Sequence, residues 1–366
     1  MKQGLRRFIG IDLAKKSYVA HIVSPGSDKG RAVSGKTTSA GLQKLYTLLD
    51  QSDLVSIECT AQATWLTRQI IEKVGCKVYL LNAGDLAIIY RSTKKTDLND
   101  AQKLAWILQR LPARELPIVP LPSQQEEERR MMTSELHARK KYRTQAINRI
   151  HSIFTREGIT DLKRSNLATS ASREESLKLL EGRSALEARR WCRELSIIEI
   201  NIQEIEAEID LSLVDDKKAE RLLSISGVGS GTAISVLAYM GDGSRFSNPH
   251  QFSNYVGMTP RVYSSGETTR MGHITRRGCR AIRSIIVQAA WSAVHARNPN
   301  SFKTKYQQLV PRIGKKKAIV AIARRMLETM WILVTRDEYF RDWDESSLRL
   351  KLQVIRRNAQ KALVAC

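Results

Sequence analysis

The stretch "RFIGIDLAKKS", residues 7–17, decides the fold: an apolar run carries an acid, Asp12, in its middle, breaks at Lys15-Lys16 and resumes as "SYVAHIVS". Two such runs around a tight polar turn read as adjacent strands. A carboxylate in the middle of a buried strand costs several kcal/mol unless something positive meets it. A partner side chain, a ligand or a metal would serve.

Working outward, "LVSIECT" (54–60) and "KVYLLNA" (77–83) are short, β-rich apolar runs. "AGLQKLYTLLDQ" and "AQATWLTRQIIEKVG" have helical spacing, the second stopped by Gly75, and a helix from Asp97 to Arg110 follows "RSTKKT". An early hairpin followed by alternating helices and strands predicts an α/β sheet of mixed direction over residues 1–115. "LPARELPIVPLPSQ" (111–124) holds four prolines and reads as a linker. Ser123-x-x-Glu126 then opens a long helix to about Arg156. Beyond Leu136 that helix carries Arg139, Lys140, Lys141, Arg143, Arg149 and Arg156 with no acid, a face suited either to phosphates or to solvent. Leu195, Ile198, Ile202, Ile205 and Ile209, spaced 3, 4, 3 and 4 apart, form a heptad seam. Residues 116–220 are therefore expected to be linker and coiled-coil helices, paired with each other or with another protomer. Residues 221–345 form a further, mainly helical domain, and 346–366 a basic amphipathic tail.

The net charge of +23 is the strong bulk signal. It is unevenly placed: residues 1–115 carry a net +8, residues 116–220 a net −1 and residues 221–366 a net +16. Basic ends around a neutral middle point to a polyanion, and nucleic acid is favoured over an anionic membrane because no lipid-facing segment accompanies the charge. Five cysteines without C-x-x-C spacing fit a reduced cytoplasmic compartment, and no run of 18 apolar residues suggests a membrane span.

Four acids could form one site: Asp12 in the first strand, Glu58 near the end of the third apolar run, and Asp97 and Asp100 on one helix face. Singly, each has a plainer role: Glu58 as a strand-end acid in solvent, Asp97 as a helix cap, Asp100 as a first-turn acid favoured by the helix dipole. Together they suit one or two Mg²⁺ ions, with Mn²⁺ as the alternative, because hard cations take carboxylates plus water and phosphate oxygens. Two such ions would clamp a phosphodiester displacement. Further along, Gly227-Val228-Gly229 between helical runs resembles a helix-hairpin-helix loop whose N–H groups meet a DNA phosphate; a packing turn is the equal alternative. "YSSGETTRMGHITRRG" is rich in hydroxyls and cations, and Arg270, Arg276, Arg277 and Arg280 are suited to phosphate contact.

"FIGIDLAKKSYVAHI", "SIECT" and "KKTDLNDAQKLA" resemble the N-terminal domain of the DEDD transposases of bacterial insertion sequences, relatives of the pilin-gene invertases. The stretch from "SISGVGSGTAISVLAYMGD" to "RRGCRAIR" resembles that family's C-terminal transposase domain, so the likeness covers nearly the whole chain. The resemblance implies a ribonuclease H-like, Holliday-junction-resolvase-like fold, with the four family acids falling on Asp12, Glu58, Asp97 and Asp100. It implies a serine nucleophile in the S-G step, placed on Ser265 with Ser264 as runner-up. It also implies donor and target duplexes, a structured non-coding bridge RNA that selects them, and a homo-oligomer, a dimer assembling to a tetramer, with acids and serine supplied by different protomers. The rival readings are a metal-dependent junction nuclease acting through water, a sugar-kinase-like or actin-like ATPase, and a non-catalytic RNA-binding protein. The ATPase reading fails on Leu13-Ala14-Lys15, which lacks the glycine of a phosphate turn; the RNA-binding reading leaves the four acids unexplained.

Overall fold

The computed structural model describes residues 7–365 except 28, 83, 87–95, 266–267 and 277; at 264–265, 268–271 and 364–365 it describes the backbone alone. The chain divides into two compact units that meet at Ser123 and Gln124, so the helices from 124 to 213 share a unit with the C-terminal region.

The first unit is built on a six-stranded sheet of β1 (Phe8–Leu13), β2 (Ser17–Val23), β3 (Gly30–Lys36), β4 (Leu54–Glu58), β5 (Lys77–Leu81) and β6 (Ile118–Val119). The order is β3-β2-β1-β4-β5-β6, with β1, β4 and β5 parallel and β2 and β6 antiparallel to their neighbours. The period-two geometry of a strand sorts β1 into two faces. Ile9, Ile11 and Leu13 pack with Val55 and Ile57 against α1 (Ser39–Leu48) and α2 (Ala63–Val74), through Leu42, Leu45, Leu66 and Ile70. The opposite face, with Phe8 and Leu54, receives α3 (Asp97–Arg110) through Leu104, Ile107 and Leu108. Both faces of the central strands are covered, which is why they read as nearly continuous apolar runs. Arg7 pins the start of β1, bonding Asp53 through two nitrogens at 2.8 and 2.6 Å and the Leu48 carbonyl at 3.1 Å.

The second unit is helical apart from one hairpin. Its long helices are α4 (Gln124–Arg156) and α6 (Gly182–Leu213), with short α5 (Ser170–Leu177) between them. Lys140 pairs with Glu206 at 2.8 Å, Arg143 with Glu199 at 3.2 Å and Arg156 with Glu187 at 3.0 Å, so the two run antiparallel. The heptad seam is buried at Leu195, Ile202, Ile205 and Ile209, and its partner within the chain is α4. The basic face of α4 is largely spent on α6: four of its six cations, Arg149 included at 3.8 Å from Glu187, meet acids there rather than lying free for phosphates.

After α6 come α7 (Lys217–Leu223), α8 (Ser230–Met240), α9 (Pro249–Tyr255), the hairpin β7 (Pro260–Ser265) and β8 (Thr268–Ile274), then α10 (Arg280–His295), α11 (Ser301–Ile313), α12 (Lys315–Arg336) and α13 (Glu345–Ala365). Helix α8 is apolar almost all round and lies at the centre of the core, as such helices must.

Candidate functional site

Gly10 sets the distance between sheet and helix. A Cβ there would fall on the Ala101 carbonyl oxygen and the Ala105 nitrogen, and 2.7 Å from Leu104 Cβ, so only glycine lets α3 lie this close on β1. Asp12 is two residues on, hence on the same face. In the parallel pairing of β1 and β4, Gly10 is opposite Ser56 and Ile11 opposite Ile57, which carries Glu58 alongside Asp12. Ser56, fully buried, donates to the Leu104 carbonyl at 3.1 Å and confirms that this parity of β4 also faces α3. Thr96 caps α3 by accepting from the Asn99 N–H, so Asp97 and Asp100 occupy the first turn, Asp97 one turn before Ala101 and Asp100 next to it. The sheet and one helix end thus bring the four predicted acids to a single edge.

Their electrostatics register the gathering. Burial, and then the charges of Asp97, Asp100 and Glu58, push the Asp12 carboxyl up from its ordinary 3.8 to about 6. Lys103 pairs with Asp100 at 2.8 Å, whereas no described cation pairs with Asp12, Glu58 or Asp97. Asp97 is exposed, and Asp12, Glu58 and Asp100 are half-buried among the described residues. The acids do not close on one another: among the described residues no three His, Cys, Asp or Glu side chains stand tightly enough to hold an ion. Four oxygen-donor side chains around a half-buried, cation-free aspartate fit a hard divalent ion by their chemistry.

In the second unit, Ser265 is the last residue of β7, in register with Thr268, and Ser264 pairs with Thr269. The side chains of Ser264, Ser265 and Arg270 lie outside the described residues, as does all of Arg277. The hairpin pairs with no other described strand, Val262 and Tyr263 are each more than half exposed, and the two serines end β7. The segments that flank the hairpin are tied together: Thr275 N–H donates to the Thr259 carbonyl at 2.8 Å and Arg276 N–H to the Gly257 carbonyl at 3.2 Å, and Arg283 donates to the Val256 and Gly278 carbonyls. Burial, with the nearby charges of Arg276 and Arg280, lowers the Arg283 pKa, so three arginines gather beside the hairpin. Arg276 and Arg280 are exposed, and Arg276 holds a left-handed backbone at φ 58°, unusual for a side chain of its size. The Arg283 guanidinium is engaged by backbone carbonyls.

The two glycines of the loop divide. Gly227, at φ 83°, packs against α10, where a Cβ would meet Ala293 N at 2.5 Å and Ala289 O at 2.7 Å. Gly229 is exposed at the start of α8 with open space around it. Of the pair, only Gly229 is placed to approach a ligand. No described helix is long and apolar enough to cross a membrane.

An acid-lined edge on a mixed sheet, in a strongly basic chain, is compatible with an enzyme that acts on DNA, and the comparisons with known proteins identify a transposase. Residues 9–157 match the DEDD transposase domain of IS110 elements, and residues 219–307 match the domain described as Transposase IS116/IS110/IS902 family. The chain belongs to that family. It is 26% identical over 348 residues to a probable family 20 transposase of Pseudomonas aeruginosa, covering 91% of this chain and 98% of the relative. It is 28% identical over 263 residues to the transposase for insertion sequence element IS1111A of Coxiella burnetii, covering 69% and 70%. Over 129 residues it is 28% identical to the pilin gene-inverting protein of Moraxella lacunata, covering 34% and 38%.

Proposed function

We propose that this transposase is a site-specific recombinase whose ribonuclease H-like unit holds Mg²⁺ or Mn²⁺ at Asp12, Glu58, Asp97 and Asp100 and whose nucleophile is Ser265. The observation that carries the reading is the convergence of three further acids on Asp12, at an edge where no described cation meets Asp12, Glu58 or Asp97. A bound divalent ion supplies charge neutralisation at the scissile phosphate and favours the alkoxide form of a hydroxyl. The chain's own residues do the rest. The Ser265 Oγ–P ester forms as a P–O bond of the DNA backbone breaks and its proton passes to a base; a sugar hydroxyl of the partner duplex then reverses the exchange, so no phosphodiester energy is lost to water. Arg276 and Arg280, beside the hairpin, bind the flanking phosphates, with Arg270 and Arg277 added by sequence position. A hairpin with exposed residues at Val262 and Tyr263 suits delivery of Ser265 to the acids of another protomer, in a dimer or tetramer that joins donor and target duplexes. Selection of those duplexes by a structured RNA would ask of the protein mainly backbone contacts, which the net +16 of residues 221–366 supplies.

The test is denaturing electrophoresis of end-labelled element DNA after incubation with protein, host-derived RNA and Mg²⁺. The wild type leaves a protein-linked strand; Ser265→Ala and Asp12→Ala do not. Free ends without a linked strand would favour the water-using nuclease instead. Adducts that persist in Ser265→Ala would move the nucleophile to Ser264.

A further inference from the structure

Lys351 stands out because it lies where an apolar residue belongs. On α13 it shares the face of Leu348, Ile355, Ala359 and Ala362, all buried. Its three N–H groups are fully used: Nζ donates to the carbonyls of Leu223 at 2.7 Å, Ile225 at 3.1 Å and Val228 at 3.0 Å. No described carboxylate pairs with it. These carbonyls come from the end of α7 and from the turn that leads to Gly229. The last carbonyls of a helix lack intrahelical partners and carry partial negative charge. Three of them converging on one ammonium, with no acid present, is the chemistry of a monovalent-cation site built from backbone oxygens.

We propose that residues 223–228 form a carbonyl cradle for a small monovalent cation, filled from within by the Lys351 ammonium, and that α13 thereby fixes the turn that sets Gly229 and the start of α8. The cradle has its own supports. Val228 N–H donates back to the Ile225 carbonyl at 3.2 Å, Gly227 is locked against α10, and Asn358 of α13 donates to Asp210 of α6 at 2.8 Å. With the lysine removed, the Leu223 and Val228 carbonyls lose their ammonium donor and the Ile225 carbonyl keeps only the Val228 N–H, and a dehydrated K⁺ or NH₄⁺ is the ligand that satisfies the three. Sodium and divalent ions hold their water more tightly, and a tetraalkylammonium ion is too large.

The experiment compares the melting temperature of the full chain in KCl, NH₄Cl and tetramethylammonium chloride at equal ionic strength. Wild type melts alike in all three. Lys351→Ala, which leaves room for an ion, melts roughly 5 °C lower in tetramethylammonium chloride and recovers in KCl and NH₄Cl. Lys351→Met, which fills the space with an apolar chain, is lowered in all three salts without recovery. Equal melting of Lys351→Ala in the three salts, at whatever temperature, overturns the proposal. Duplex affinity of Lys351→Ala in the same salts tests separately whether the turn serves DNA. Salt-dependent melting with unchanged affinity would leave the cradle standing and sink only the role of Gly229.

Discussion

Asp12→Asn should stabilise the metal-free protein while abolishing its response to Mg²⁺. A carboxyl with a pKa of about 6 in the fold and 3.8 when unfolded favours folding fully below pH 3.8 and loses that contribution as pH rises through about 6. At pH 7 the charged Asp12 therefore opposes folding. The gap corresponds to ~3 kcal/mol at 1.36 kcal/mol for each pH unit. Solvent on the open side of the edge screens this to about 1–2 kcal/mol. Asparagine keeps the shape and removes the charge, so the first unit should melt several degrees higher at pH 7, with little gain at pH 4. Mg²⁺ should raise the wild type's melting temperature at pH 7, raise it less at pH 5, and leave Asp12→Asn unmoved. Calorimetry resolves this, provided the two units' transitions are fitted separately. Destabilisation of metal-free Asp12→Asn at pH 7, or an equal Mg²⁺ response in both proteins, would refute the electrostatic account of the edge.

Gly10→Ala drives a methyl into the backbone of α3 at Ala101 and Ala105 and should cost about 1–3 kcal/mol. Activity should fall further than stability, because α3 carries two of the acids; wild-type melting would show that the close approach is not obligatory. Glu199→Ala strips Arg173, whose side chain is 4% exposed, of its carboxylate at 2.9 Å and should cost ~3 kcal/mol. Lys140→Ala breaks a pair in which both partners are about half exposed and should cost under ~1 kcal/mol in urea unfolding. Similar losses for the two would mean that burial does not govern these pairs.

The central strands were legible because burial on both faces leaves an apolar run, and Asp12 is conspicuous only against such a run. Helix α3 was legible to its ends, since Thr96 caps it and the two acids follow in the first turn. Strand β3 was missed: it is an edge strand with most of its side chains in solvent, so "GRAVSGK" carries no burial signal. Strand β6 hides within the proline-rich stretch read as linker, because two residues at a sheet edge need little more than an extended backbone. The hairpin that bears Ser265 reads in sequence as a loop of hydroxyls and glycines. Val262 and Tyr263 are exposed, so no burial alternation marks β7 there. The cations of α4 show a different limit: their spacing is the same whether phosphates or the acids of α6 answer them. Lys351 was visible only as a charge on the apolar stripe of the tail, and nothing local says that three carbonyls from residues 223–228 await it.

The most direct test is a crystal structure of the protein grown with Mn²⁺, using the ion's anomalous scattering to locate it. The account predicts a peak bonded at roughly 2.0–2.2 Å to Asp12 and to at least one of Glu58, Asp97 and Asp100. Peaks elsewhere, or none at saturating Mn²⁺ with these four side chains still apart, would contradict it.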